Sequence, residues 1–314
     1  MKRILILGLS IILLFGCNQV SQETVQIGTL QGPTGMGMAK LMEENSLSKT
    51  KNKYEFTVAG TPEEVVAKLI NGELKIAALP TNLAAILYQK TKGQVQLAAV
   101  NTLGVLYLVG EDKISNIEDL SGKTIYATGQ GATPEYVLRY LLASQGITDV
   151  KILYKQEHAE LAALVASGEI KLAMLPEPFV TIVLQKNKQA KRLLDFSVVW
   201  QGATKGLDLP MGGLVIQKIW ANENPKTIKK FLQEYQASVE YANANPVATG
   251  QLIEKYGIMS NGELAAQALP NCKLVYWSGE KMQQAVSHYY EVLAELEPKA
   301  VGGKLPDGEF YYQD

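Results

Sequence analysis

The chain has 314 residues, of which 30 are basic and 31 acidic, and its formal net charge is −1. Without Lys2 and Arg3 the balance is 28 basic to 31 acidic residues, which leaves no electrostatic footprint for nucleic acid. The only cysteines are Cys17 and Cys272 and the only histidines are His158 and His288, so neither a disulfide framework nor a metal site of the usual N/S kind is expected.

The first residues read as an export signal. Lys2 and Arg3 precede an apolar stretch from Ile4 to Phe15, too short to span a bilayer as a helix. It ends in Leu14-Phe15-Gly16-Cys17, which resembles the bacterial lipobox. The expectation is a signal peptide over 1–17, a lipidated Cys17 and a polar tether over 18–24. The mature chain would then be extracytoplasmic, held to the cell membrane by its lipid, with Cys272 left as a small buried side chain. A mature chain of about 300 residues exceeds the usual size of one core, so two lobes are expected.

Next comes a strand from Val25 to Leu30, a Gly-rich turn and a helix; the same order recurs from Lys123 to Ala127. Residues 65–80 and 161–176 match at seven of sixteen positions, at an offset of 96. Gln31-Gly32-Pro33-Thr34 is echoed by Gln130-Gly131-Ala132-Thr133 at an offset of 99. Two echoes in the same order predict two similar α/β units. In each, a helix (62–71 and 158–167) is stopped by Asn71-Gly72 or Ser167-Gly168, and a buried strand follows (Leu74 to Leu79, Ile170 to Leu175). Such alternation predicts mostly parallel sheets. Strands are expected at 95–100, 104–109 and 213–217, then helices across 222–297 and an irregular tail from Pro298.

With these residues in view, the chain resembles the nitrate/taurine/sulfonate and thiamine-precursor group of solute-binding proteins of ABC importers. The resemblance rests on Ile27 to Lys40, on Ile117-Glu118-Asp119-Leu120-Ser121-Gly122-Lys123 leading into a strand, and on Pro176-Glu177-Pro178-Phe179. Leu209-Pro210-Met211-Gly212-Gly213 and Asn224-Pro225 complete it. It implies a two-lobed, type II periplasmic-binding-protein-like α/β fold with a ligand cleft between the lobes. Lobe I would comprise 25–106 and 207–314 and lobe II 107–206, with hinge crossings near 105–108 and 205–213. It also implies a small-molecule ligand, an ABC-importer permease as partner, hinge closure, a monomer, and neither catalysis nor a cofactor.

In open α/β sheets ligands bind beyond the carboxyl ends of the strands. The candidates are therefore Gln31, Pro33, Thr34, Met36, Pro80, Thr81, Asn82 and Asn101 in lobe I, and Gln130, Gly131, Ala132, Thr133 and Glu177 in lobe II. Thr34 and Thr133 can equally be helix caps, Asn82 and Asn101 can bond loop backbone, and Met36 can be core. Phe179, Tyr107 and Trp200 are either an aromatic wall or core. Glu177 reads as a solvated loop carboxylate or as an acceptor for an amino group, the latter favouring a thiamine-pyrimidine-like ligand over a sulfonate or nitrate. No arginine is evident in these loops to clamp an anion, and His158 reads as solvated. An enzyme on the same scaffold and a ligand-sensing lipoprotein remain the alternatives.

Overall fold

A computed structural model describes residues 24–313. Cys17, the signal peptide and residues 18–23 of the tether lie outside the described residues. Thr24 already belongs to the first strand, β1 (Thr24–Leu30).

The one-turn α1 (Pro33–Met36) and α2 (Ala39–Ser46) follow, then β2 (Lys53–Ala59). Helix α3 (Pro62–Ile70) starts on a proline, carries Glu63 and Glu64 in its first turn and Lys68 in its last, and so complements its own dipole. Gly72, at φ 81°, ends it in a conformation that side chains resist. Strand β3 (Ile76–Pro80), buried except at Pro80, leads directly into α4 (Thr81–Lys90). Next come β4 (Val95–Leu103) and β5 (Leu106–Gly110). The second unit repeats the plan: β6 (Thr124–Ala127), α5 (Thr133–Ser144), β7 (Lys151–Tyr154), α6 (His158–Ala166), β8 (Leu172–Pro176) and α7 (Phe179–Lys186). The chain then forms β9 (Lys191–Asp195), α8 (Phe196–Ala203) and β10 (Pro210–Gln217). After α9 (Lys218–Glu223) come α10 (Pro225–Ala244), α11 (Pro246–Lys255) and α12 (Gly262–Ala268). Strand β11 (Leu274–Trp277) and α13 (Gly279–Leu296) precede a tail with two 3₁₀ turns.

The strands form two sheets, ordered β11-β4-β10-β3-β1-β2 and β7-β6-β8-β5-β9. This is the expected α/β architecture with two sheets, and the two echoed segments fall on α3–β3 in one sheet and α6–β8 in the other. Three expectations need correction. The sheets are mixed: β10 runs antiparallel to β3 and β4, and β5 antiparallel to β8 and β9. Parallel pairs come from helices that cross over within one sheet, whereas β5 and β10 each arrive from the other sheet, β5 through a two-residue link and β10 after α8. The stretch 222–297 is not all helical, because β11 pairs with β4. Third, the first link between the sheets is Gly104-Val105, so Tyr107 and Leu108 already lie inside β5.

That first link is tightly packed. A Cβ on Gly104 would lie 2.3 Å from Ser197 Oγ and 2.9 Å from Leu209 Cδ2, and Ser197 Oγ is itself held by donating to the Gly104 carbonyl at 2.9 Å. Gly104→Ala is therefore expected to cost about 2 kcal/mol through overpacking. Urea unfolding checks this; an unchanged midpoint would show that the link yields without strain.

Candidate ligand cleft

The carboxyl ends of β1, β3 and β4 gather the first group of predicted residues. Gln31 is exposed, and its N–H donates to the Ala59 carbonyl at 3.0 Å. Gly32 takes φ 83° with open space where a side chain would stand. Pro33 opens α1, and the Thr34 carbonyl accepts a 3.1 Å bond from Asn101 Nδ2. Asn101 is 1% exposed, and its Oδ1 accepts from Thr102 Oγ1 at 3.0 Å, so this asparagine bonds the loop backbone. Pro80 is half-buried, and Thr81 is fully buried, donating to the Pro210 carbonyl at 2.7 Å. Asn82 follows, half-buried in the first turn of α4. Met36 packs with Ile27, Ile76 and Tyr235 in the core and is fully buried.

Across the molecule, Gln130 and Gly131 are exposed beyond β6, and Gly131 has φ 74°. The Gly131 N–H donates to Glu135 Oε2 at 2.6 Å, and its carbonyl accepts from Tyr136 Oη at 3.0 Å. Ala132 is the N-cap of α5 and Thr133 its first helical residue. Neither Thr34 nor Thr133 caps a helix with its side chain. Thr133 Oγ1 instead lies 3.1 Å from Tyr289 Oη.

Glu177 departs from both readings of its charge. It is 1% exposed, and its carboxylate accepts from Arg192 Nη2, from Thr181 Oγ1 at 2.9 Å and from Thr181 N at 3.1 Å. Burial pushes the carboxyl pKa up, while Arg192 and Thr181 pull against that rise. The arginine lies in β9, and its guanidinium covers the Tyr107 ring at 4.7 Å. Lys273 approaches the same ring at 5.6 Å and pairs with Asp195 at 2.6 Å. Tyr107 Oη donates to the Asn271 carbonyl at 3.0 Å, tying β5 to the segment before β11.

Three residues meet beyond the second sheet: Thr128, which the sequence does not single out, His158, expected to be solvated, and Phe179, expected as aromatic wall or core. His158 begins α6 just past β7, Thr128 follows β6 and Phe179 begins α7 just past β8. His158 Nδ1 lies 2.5 Å from Thr128 Oγ1, and its ring lies 5.3 Å from that of Phe179 at 39°. Burial pushes the imidazole pKa down, which favours the neutral ring. His158 is thus half-buried and bonded rather than solvated. Its sequence signal was its position, at a helix start directly after a strand of the second unit.

Two surface depressions, of about 440 and 310 Å³, lie elsewhere: one against Ser115–Glu118 and Val198, the other between Lys40 and Tyr241. Neither is lined by a predicted ligand residue. Among the described residues no helix is long and apolar enough to cross a membrane.

The model of a family described as Menaquinone biosynthesis matches residues 36–295. No curated protein matches the chain. Among solved structures, an ABC transporter from Parabacteroides distasonis is 27% identical, with a TM-score of 0.78 over 92% of this chain and 99% of that one. The periplasmic aliphatic sulphonate binding protein of Escherichia coli is 18% identical, with a TM-score of 0.70 over 93% of each chain. The periplasmic nitrate-binding protein of Synechocystis PCC 6803 is 16% identical, with a TM-score of 0.62 over 91% of this chain and 83% of that one. The fold is that of the periplasmic binding proteins.

Proposed function

Because the chain belongs to the menaquinone-biosynthesis family and carries the fold of periplasmic binding proteins, we propose that it is a solute-binding protein of an ABC importer. Lipidated Cys17 holds it outside the cytoplasmic membrane. It captures a small polar organic molecule between a lobe built on the six-stranded sheet and a lobe built on the five-stranded sheet, as a monomer and without turnover or cofactor. It then hands the ligand to a permease in the closed form. Closure follows only from the ligand's preference for that form. The observation that carries this reading is the near full-length likeness to the Parabacteroides distasonis ABC transporter.

The ligand's chemistry follows from the cleft. Gln31 and Gln130 are exposed and offer side-chain amides and little charge, while the backbone N–H groups of Gln31, Gly32 and Gly131 already donate within the chain. Glu177 is neutralised by Arg192 and no longer favours an amine over an oxyanion. The preference for a flat heterocycle such as a thiamine-type pyrimidine rests instead on the His158–Phe179 ring pair, which suits stacking. Sulfonates and nitrate come next. The family match favours a second reading, an enzyme on this scaffold, and His158 is its best proton carrier.

The test is thermal melting of protein beginning at Asn18; both sheets and their cores lie within 24–313, so the folded unit is intact. Pyrimidines, other heterocycles, sulfonates, nitrate and amino acids are added in turn. Ligand at 100 times its Kd adds about 2.7 kcal/mol, which raises Tm by roughly 5–10 °C. For a heterocycle, Phe179→Ala is expected to weaken binding at least tenfold, about the worth of a lost aromatic contact. A shift with sulfonate that Phe179→Ala leaves intact would overturn the flat-ligand reading. Product formation during incubation, followed by mass spectrometry, would move the chain to the enzyme reading.

A further inference from the structure

Two adjacent residues of α13 reach the two ligand-facing segments of different sheets. Tyr290 Oη donates to the Thr81 carbonyl at 2.6 Å, in the first turn of α4. Tyr289 Oη lies 3.1 Å from Thr133 Oγ1, in the first turn of α5. Successive helical residues point about 100° apart, so one short stretch of α13 addresses both places at once. Both rings are 1% exposed. They pack on each other at 5.8 Å and on Trp200 and Phe310, which fixes their rotamers.

The two bonds differ in kind. Helix α13 follows β11 and packs on β4, β10, α5 and the 3₁₀ turn Pro298–Val301, which in turn lies on α4. All of these but α5 belong with the six-stranded sheet, so Tyr290–Thr81 is a bond inside one lobe that sets the helix in place. Thr133 belongs with the five-stranded sheet, and Tyr289–Thr133 crosses between the lobes. Rotation about the links at 104–105 and 204–209 separates Tyr289 from Thr133 and leaves Tyr290 on Thr81.

We propose that Tyr289, positioned by its neighbour, is an inter-lobe latch: its hydroxyl bond to Thr133 favours the closed arrangement before any ligand arrives. The same bond holds the first turn of α5 at a set distance from that of α4, so the ligand meets two helix starts already spaced. Tyr289 is a positioning residue. This inference rests on the two-lobed capture reading, but its readout needs no ligand.

The experiment measures the distance between spin labels on ligand-free protein beginning at Asn18, one label at Ala67→Cys beside the first sheet and one at Lys151→Cys on the edge of the second. Both sites are exposed, and Cys272, the free thiol among the described residues, is buried. Tyr289→Phe keeps the ring and removes the hydroxyl. It is expected to raise the ratio of long-distance to short-distance population about fivefold, the factor for one net hydrogen bond. Thr133→Val should do the same, the two together should do no more than either alone, and Thr133→Ser should restore the parent ratio. An unchanged distance distribution in Tyr289→Phe, with a lower Tm, would overturn the latch and leave a packing role. If the distances shift as expected but no solute in the melting panel binds, the latch stands and the capture reading alone is in difficulty.

Discussion

Arg192→Met is expected to lower the stability of the folded chain at pH 7 by about 3–5 kcal/mol, because it strands a buried carboxylate without its cation. The Glu177 side chain has no exposed surface, whereas that of Arg192 is 27% exposed. The two Thr181 donors remain but do not replace a charge. Methionine keeps much of the stem over Tyr107, so the loss reports charge rather than volume. Burial already raises the Glu177 pKa above its ordinary value, and removing Arg192 takes away the first of the opposing causes. A carboxyl with a raised folded pKa binds its proton more readily in the folded than in the unfolded chain. Its penalty is absent below the unfolded pKa and grows as pH rises through the folded one. The variant should therefore recover much of its deficit as pH falls from 7 toward the unfolded carboxyl value, where acid normally destabilises. Urea titrations at several pH values check this, and a deficit independent of pH would mean that Glu177 is not the stranded group. Glu177→Gln in the Arg192→Met background should restore most of the loss at neutral pH.

What was legible in the chain was local. The two units were readable because Gly72 and Gly168 stop equivalent helices and Pro80 and Pro176 end equivalent buried strands. The loops beyond those strands followed from the order of elements. Strand β11 was not legible: four residues inside a helical region become a strand because β4, far back in the chain, offers an edge. The Glu177–Arg192 pair was missed for a related reason. Glu177 directly follows β8 and Arg192 lies in β9, and only the antiparallel insertion of β5 between those strands sets their relation. With that pairing unknown, Glu177 looked like a free charge with a say in ligand choice. His158 reads as solvated from the sequence because its neighbours Thr128 and Phe179 come from the ends of two other strands. Residues whose meaning depends on strand pairing were unreadable, while those punctuating a single βα unit were plain.

Trp200→Ala is expected to cost about 3–5 kcal/mol, the range for truncating a fully buried aromatic residue, whereas Trp200→Phe should stay within about 1 kcal/mol of the parent. Trp200 is 1% exposed, on the face of α8 that meets Tyr140 at 5.0 Å and Tyr289 at 5.9 Å. Alanine leaves a cavity where α8 and α13 meet behind the second link, and the latch tyrosine loses the ring it leans on. Phenylalanine loses part of the ring area but also removes a liability, since the buried indole N–H meets no acceptor. An unsatisfied buried donor costs about 1–3 kcal/mol, enough to offset much of the lost area. The contrast separates packing from polarity at one position, and urea unfolding of the two variants measures it. If phenylalanine proves as damaging as alanine, the indole N–H is hydrogen-bonded in solution and its bond, rather than the ring stack, holds α8 to α13. If both are mild, the α8–α13 contact contributes little to the folded state, and the inter-lobe latch cannot depend on Trp200 for its rigidity.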